Sequence, residues 1–170
     1  MNVFILRHGI ASDPGEGGLP KRLPDAERPL SMRGKQRLGD VTWAMRKMEL
    51  NFDAVLSSPL LRARQTAQMV TEALGAELKI VLSDHLAPEG SPKALIEQVN
   101  GLHAPVENVL LVGHEPYLSR FIALLTTGGT TALIDLRKGG LARLEVEELR
   151  YARCATFRWL VTPKQMSLMK

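Results

Sequence analysis

Residues 2–6, 53–57, 78–82 and 108–112 are short apolar runs bounded by turn-forming residues, the pattern of strands buried on both faces. Between them the apolar positions fall at helical spacing. Leu38, Val41, Met45 and Met48 share one face of a helix that Ser31 would cap and that runs to about Leu50. Ser58-Pro59 predicts a cap and first-turn proline for a helix to about Leu74, closed by Gly75. Ser91-Pro92 predicts the same start for a helix to about Asn100, and a further helix spans about Pro116 to Leu125. Residues 141–147 and 154–161 read as two more strands joined as a hairpin. Residues 10–30 hold Pro14, Gly15, Gly17, Gly18, Pro20, Pro24 and Pro29, which predicts a long loop of the kind that often carries function. Strand and helix alternate through most of the chain. The expected fold is therefore α/β, a largely parallel central sheet flanked by helices on both faces, with a C-terminal hairpin. No repeat, low-complexity segment or linker divides the sequence, so a single domain over residues 1–170 is expected.

Composition narrows the class without naming a function. An apolar fraction of 45% and a charged fraction of 24% are ordinary for a globular protein of 170 residues. Cys154 is the only cysteine, which excludes an intrachain disulfide and suits a reducing compartment. No basic leader with an apolar stretch opens the chain, and no apolar run nears the roughly 20 residues that cross a bilayer. The expectation is a cytoplasmic protein without a membrane partner. The net charge of +4 suits an anionic ligand. Aromatic residues make up 5% and do not alternate with the basic ones, so a nucleic-acid partner is not expected.

The chemistry gathers at the ends of the predicted strands, where ligands of open α/β sheets bind. The first strand stops on Arg7-His8-Gly9. The second ends in Ser57-Ser58-Pro59, and its helix carries Arg62 in the first turns. The fourth ends in Gly113-His114-Glu115. Two of the four histidines and two arginines thus converge on one sheet edge, beside a helix N-terminus that favours anions. A phosphoryl group in transfer spreads charge over three oxygens, which guanidinium forks hold in pairs. A neutral imidazole can attack phosphorus, and nearby cations keep it neutral.

These residues resemble a known family. Arg7-His8-Gly9, the run Ser57-Ser58-Pro59-Leu60-Leu61-Arg62-Ala63-Arg64-Gln65-Thr66, and Val112-Gly113-His114 look like the signatures of the histidine phosphatase superfamily, the phosphoglycerate-mutase-like fold. Arg28-Pro29-Leu30-Ser31 with Gly34, Leu86-Ala87-Pro88-Glu89-Gly90 and Trp159-Leu160-Val161-Thr162-Pro163 are similar, more narrowly, to SixA-type phosphohistidine phosphatases. The resemblance implies that His8 is the nucleophile that becomes phosphorylated. It further implies that Arg7, Arg62 and His114 hold the phosphate oxygens, that Arg28 and Gly9 add substrate contacts, and that neither metal nor cofactor is needed. The implied partner is a phosphorylated protein, such as a histidine phosphotransfer domain in signalling, or a small phosphate. Short connections after the second, third and fourth strands leave an open cleft that could admit a phosphohistidine displayed on another protein.

Phosphoester-cleaving members of the superfamily protonate the departing oxygen with a carboxylic acid. Asp84 and Glu89 follow the third strand, and Glu89 is the better candidate; a solvated loop carboxylate is its alternative reading. The competing function is a broad phosphomonoester or pyrophosphate hydrolase with Glu89 as general acid. Arg64, His85 and His103 read as residues of surface and loops. Gly15-Glu16-Gly17-Gly18 breaks the dinucleotide-binding pattern, and His114-Glu115-Pro116-Tyr117-Leu118 lacks the second histidine of a zinc-protease helix. Lys138-Gly139-Gly140 reads as a turn into the fifth strand.

Overall fold

The computed structural model describes residues 1–75, 78–103 and 106–170. Strand β1 (Asn2–Arg7) lies inside the sheet, parallel to β4 (Asn108–Gly113) on one side. Beyond β4 come β2 (Ala54–Ser57) and β3 (Ile80–Leu82), both parallel. On the other side of β1, β5 (Leu141–Val146) and β6 (Ala155–Val161) pair antiparallel, as the expected hairpin. The order is β3-β2-β4-β1-β5-β6.

Two-residue alternation along each central strand feeds two cores, one on each face. Val3, Ile5, Val109 and Leu111 pack with Leu95 and Val99 of α3 (Pro92–Asn100) and with Leu118, Phe121, Ile122 and Leu125 of α4 (Tyr117–Thr127). Phe4, Leu6, Leu110 and Val112 face the other way. They pack with Leu38, Val41 and Met45 of α1 (Met32–Lys47), Ala63, Ala67 and Val70 of α2 (Leu61–Leu74), and Met166 of α5 (Pro163–Ser167). Strands covered on both faces have no polar side to show, which explains their unbroken apolar runs.

Three features differ from the sequence expectation. Helix α2 starts at Leu61, not at Ser58-Pro59, because Ser58 Oγ accepts from the Leu60 amide and also meets His114. Helix α5 is additional: Thr162 and Gln165 form a capping box ahead of a helix too short to show periodicity. The 10–30 segment contains two short 3-10 turns, Glu16–Gly18 and Asp25–Glu27, and is pinned at its base by the Ala11–Leu30 bridge. No helix among the described residues is long and apolar enough to cross a membrane.

Candidate active site

Sheet register sets the site. Arg7 pairs with Gly113, so β1 and β4 release the next residues, His8 and His114, side by side. The His8 amide donates to Gly113 O at 3.1 Å, and the two imidazole rings lie 4.8 Å apart. Ser57 pairs with Val112, which brings the start of α2 to the same level. From its first turn Arg62 reaches back, and its Nε lies 3.4 Å from His8 Nε2. Three segments far apart in the chain, carrying Arg7 and His8, Arg62, and His114, therefore meet at the C-terminal ends of parallel strands.

His8 is held as one tautomer. Its Nδ1 is 2.7 Å from Gly9 O, a carbonyl that can only accept, so Nδ1 carries the proton and Nε2 presents a lone pair. The Gly9 amide donates to Thr66 Oγ1, and that hydroxyl donates to Arg62 O, so one threonine joins the His8 loop to α2. Both backbone groups of Gly9 are thus engaged inside the protein. Its missing side chain is also required: a Cβ there would lie 2.7 Å from Leu38 Cδ1 and 3.0 Å from Leu30 Cδ2.

Both rings are neutral near pH 7. Burial, followed by the charge of His114 and those of Arg62 and Arg7, lowers His8 to about 3, against the opposing Gly9 hydrogen bond. Burial and then Arg62 lower His114 to about 4, with Asp25 pulling the other way. His114 Nε2 is 2.8 Å from Ser58 Oγ, whereas its Nδ1 is buried without a partner. Arg7 donates from Nη1 to Leu136 O at 2.9 Å, and its Nε is likewise buried and unpartnered. Arg62 Nε lies against His8 Nε2, and Arg7 and His114, which both bear on the His8 charge, each keep one buried nitrogen without a partner, nitrogens of the kind that bind the oxygens of a tetrahedral oxyanion.

Asp25, in the long loop, completes the group and was not singled out in the sequence. Its Oδ2 accepts from Arg62 Nη2 at 2.8 Å and its carbonyl from Arg62 Nη1 at 2.6 Å. Its Oδ1 accepts from Arg28 Nη1 at 3.1 Å, so one carboxylate bridges both arginines. Burial opposes ionisation, but the bonds and charges of Arg62 and Arg28 outweigh it and hold this carboxyl below its usual range. Arg28 also donates to Ser12 O and pairs with Asp13 at 2.6 Å. It reaches the site through Asp25.

Glu89 stands apart. It is exposed on a different cavity of about 230 Å³, with Tyr117, Arg120 and Thr130 on its walls, and makes no hydrogen bond to the four convergent residues. Arg64 and His103 are exposed and His85 is half-buried, away from this cluster.

A model of the histidine phosphatase superfamily (branch 1) matches residues 3–87. The chain belongs to that superfamily, and within it is SixA-like. The phosphohistidine phosphatase SixA of Escherichia coli is 26% identical over 171 residues, covering 100% of this chain and 99% of that one. A solved structure of the protein histidine phosphatase SixA complexed with tungstate has a TM-score of 0.80 at 26% identity, over 98% of this chain and 99% of that one. An uncharacterised protein of Picosynechococcus sp. is 34% identical over 146 residues, 85% of this chain and 84% of its own length.

Proposed function

We propose that this chain is a phosphohistidine phosphatase that acts on a phosphorylated protein through a covalent intermediate on His8. The observation that carries the reading is the fixed tautomer of His8: Nδ1–H points to Gly9 O, and the Nε2 lone pair faces Arg62 and His114. In the first step Nε2 attacks the phosphorus of the substrate in line. The bond between that phosphorus and the substrate imidazole breaks, and the imidazole, protonated on its other nitrogen, leaves neutral. Arg7, Arg62 and His114 hold the three equatorial oxygens throughout. In the second step water attacks the phosphorus on His8, the P–N bond breaks with its electron pair returning to Nε2, and both water protons stay with the phosphate, which leaves as dihydrogen phosphate. Neither step needs a metal or an added carboxylic acid.

A leaving group that departs neutral makes Glu89 dispensable, and its placement on a separate cavity supports that. An alkoxide leaving group would need an acid, and Asp25, ionised between two arginines, is a poor one. The deciding experiment sets a phosphohistidine peptide against phosphoserine, phosphotyrosine and nucleotide substrates, with His8→Ala and Glu89→Gln variants. Acid-labile phosphate trapped on His8, its loss in His8→Ala, and an undiminished rate on phosphohistidine in Glu89→Gln are expected. Preference for esters with a large loss in Glu89→Gln would establish the phosphomonoester reading instead.

A further inference from the structure

A cleft of about 600 Å³ opens beside Arg7 and is lined by Ile10, Arg33, Arg37, Arg137, Lys138, Thr162, Pro163 and Lys164 besides Arg7 itself. Six of these nine side chains are cationic. Among the described residues, Arg33, Arg37, Lys138 and Lys164 form no ion pair, and Arg137 pairs only with exposed Asp135. Asp135 and Glu115 act on Arg7 through their charge, but of the six cations only Arg137 has a carboxylate in direct contact among the described residues.

Stability does not account for this arrangement. Arg33 and Arg37 are four apart on α1, a like-charge spacing that destabilises a helix. Arg33 also sits in the first turn of α1, the end where the backbone dipole disfavours cations. The cleft is, moreover, tied to the site already described. The turn carrying Arg137 and Lys138 is bonded to the backbone of the nucleophile's segment: the Gly139 amide lies 3.0 Å from Arg7 O and 3.2 Å from His8 O, and the Arg7 amide donates to Gly140 O. Gly139 adopts φ +79°, and a Cβ there would press on Pro163 at 3.3 Å, so this turn, α1 and α5 close around one groove.

We infer that this groove docks carboxylates of the phosphoprotein substrate, next to the phosphohistidine that enters between His8 and Arg62; the inference rests on the phosphohistidine reading above. A single phosphoryl group would use Arg7 and, with Arg137 paired to Asp135, leave four cations unanswered. Arg33, Arg137, Lys138 and Lys164 are exposed along the rim, where they meet a protein face and speed its encounter rather than enclose a small molecule.

The test uses two phosphohistidine peptides, one with aspartates beside the phosphohistidine and one with asparagines, together with phosphoramidate as a minimal substrate. The enzymes are the wild type and Arg33→Gln/Arg37→Gln/Lys164→Gln. The wild type is expected to prefer the aspartate peptide by about tenfold in kcat/KM, through KM, with the preference lost in high salt. The variant is expected to lose that preference and keep its rate on phosphoramidate, which also shows that it folds. An unchanged preference in the variant overturns the inference. So does inhibition by inositol hexakisphosphate that depends on the three side chains when no peptide preference exists, which would make the occupant a small polyanion. If no phosphohistidine substrate is turned over but p-nitrophenyl phosphate is, the parent reading fails separately. The groove is then judged by whether an unphosphorylated aspartate-rich peptide competes in the wild type and not in the variant.

Discussion

Asp25 offers Arg62 two oxygens, one from its carboxylate and one from its own carbonyl, in the paired geometry that a phosphate would use. An oxyanion held by Arg62 has to displace it. The pair joins a buried guanidinium to a carboxylate that is 60% exposed, so its worth is that of a surface pair, up to about 1 kcal/mol. Asp25→Ala should therefore tighten competitive inhibition by orthophosphate about fivefold. Weaker inhibition would mean that Asp25 aims Arg62 rather than competing for it. His8 supports a second expectation at this scale. An imidazole of ordinary pKa is only about 3% neutral at pH 5. With His8 lowered to about 3, the nucleophile stays neutral there, and kcat/KM should show no loss assignable to His8 between pH 8 and pH 5. A fall with a midpoint near 6.5 that His114→Gln leaves in place would contradict that.

The start of α1 lies so close to the residues after His8 that a Cβ on Gly34 would sit 2.1 Å from Ile10 O. Backbone cannot yield as a side-chain tip can, so Gly34→Ala should cost about 1–3 kcal/mol in urea unfolding. Gly9→Ala, which meets the ends of Leu38 and Leu30, should cost less stability and more activity, because His8 hangs on that residue. Such element-level fits divide what was legible in the sequence from what was not. Buried strands announce themselves as apolar runs, and Ser31 and Ser91 cap α1 and α3 where expected, each accepting from an amide three residues on. The start of α2 was misplaced because Ser58, the obvious cap, turns toward His114. The two histidines and two arginines were readable because strand ends in an α/β sheet share one edge. Asp25 was not, since nothing local in a proline-rich loop marks which carboxylate folds back onto Arg62. The basic groove was invisible for the same reason: its cations come from α1, α5 and the turn before β5, and only the fold adds them together.

Bringing His8 and His114 into one buried, cationic place lowers the acid tolerance of the whole molecule. Their folded pKa values, about 3 and about 4, lie below the ordinary value near 6.5, so the unfolded chain takes up their protons first as pH falls. Stability is thus fully present above pH 6.5 and drains away as pH drops toward 4, because the unfolded state binds more protons throughout that window. Each histidine adds a slope approaching about 1.4 kcal/mol per pH unit where its unfolded form is protonated and its folded form is not. The paired loop carboxyl Asp25, lowered from a starting value of 3.8, adds its own loss only further into acid and leaves this window to the imidazoles. Urea unfolding at pH 7, 5.5 and 4.5 should therefore show a steep decline in the wild type and a much shallower one in His8→Gln/His114→Gln, whatever the variant's stability at pH 7. Parallel slopes would show that the two rings take up protons in the folded protein as readily as in the unfolded chain, and that the cationic site does not hold them neutral.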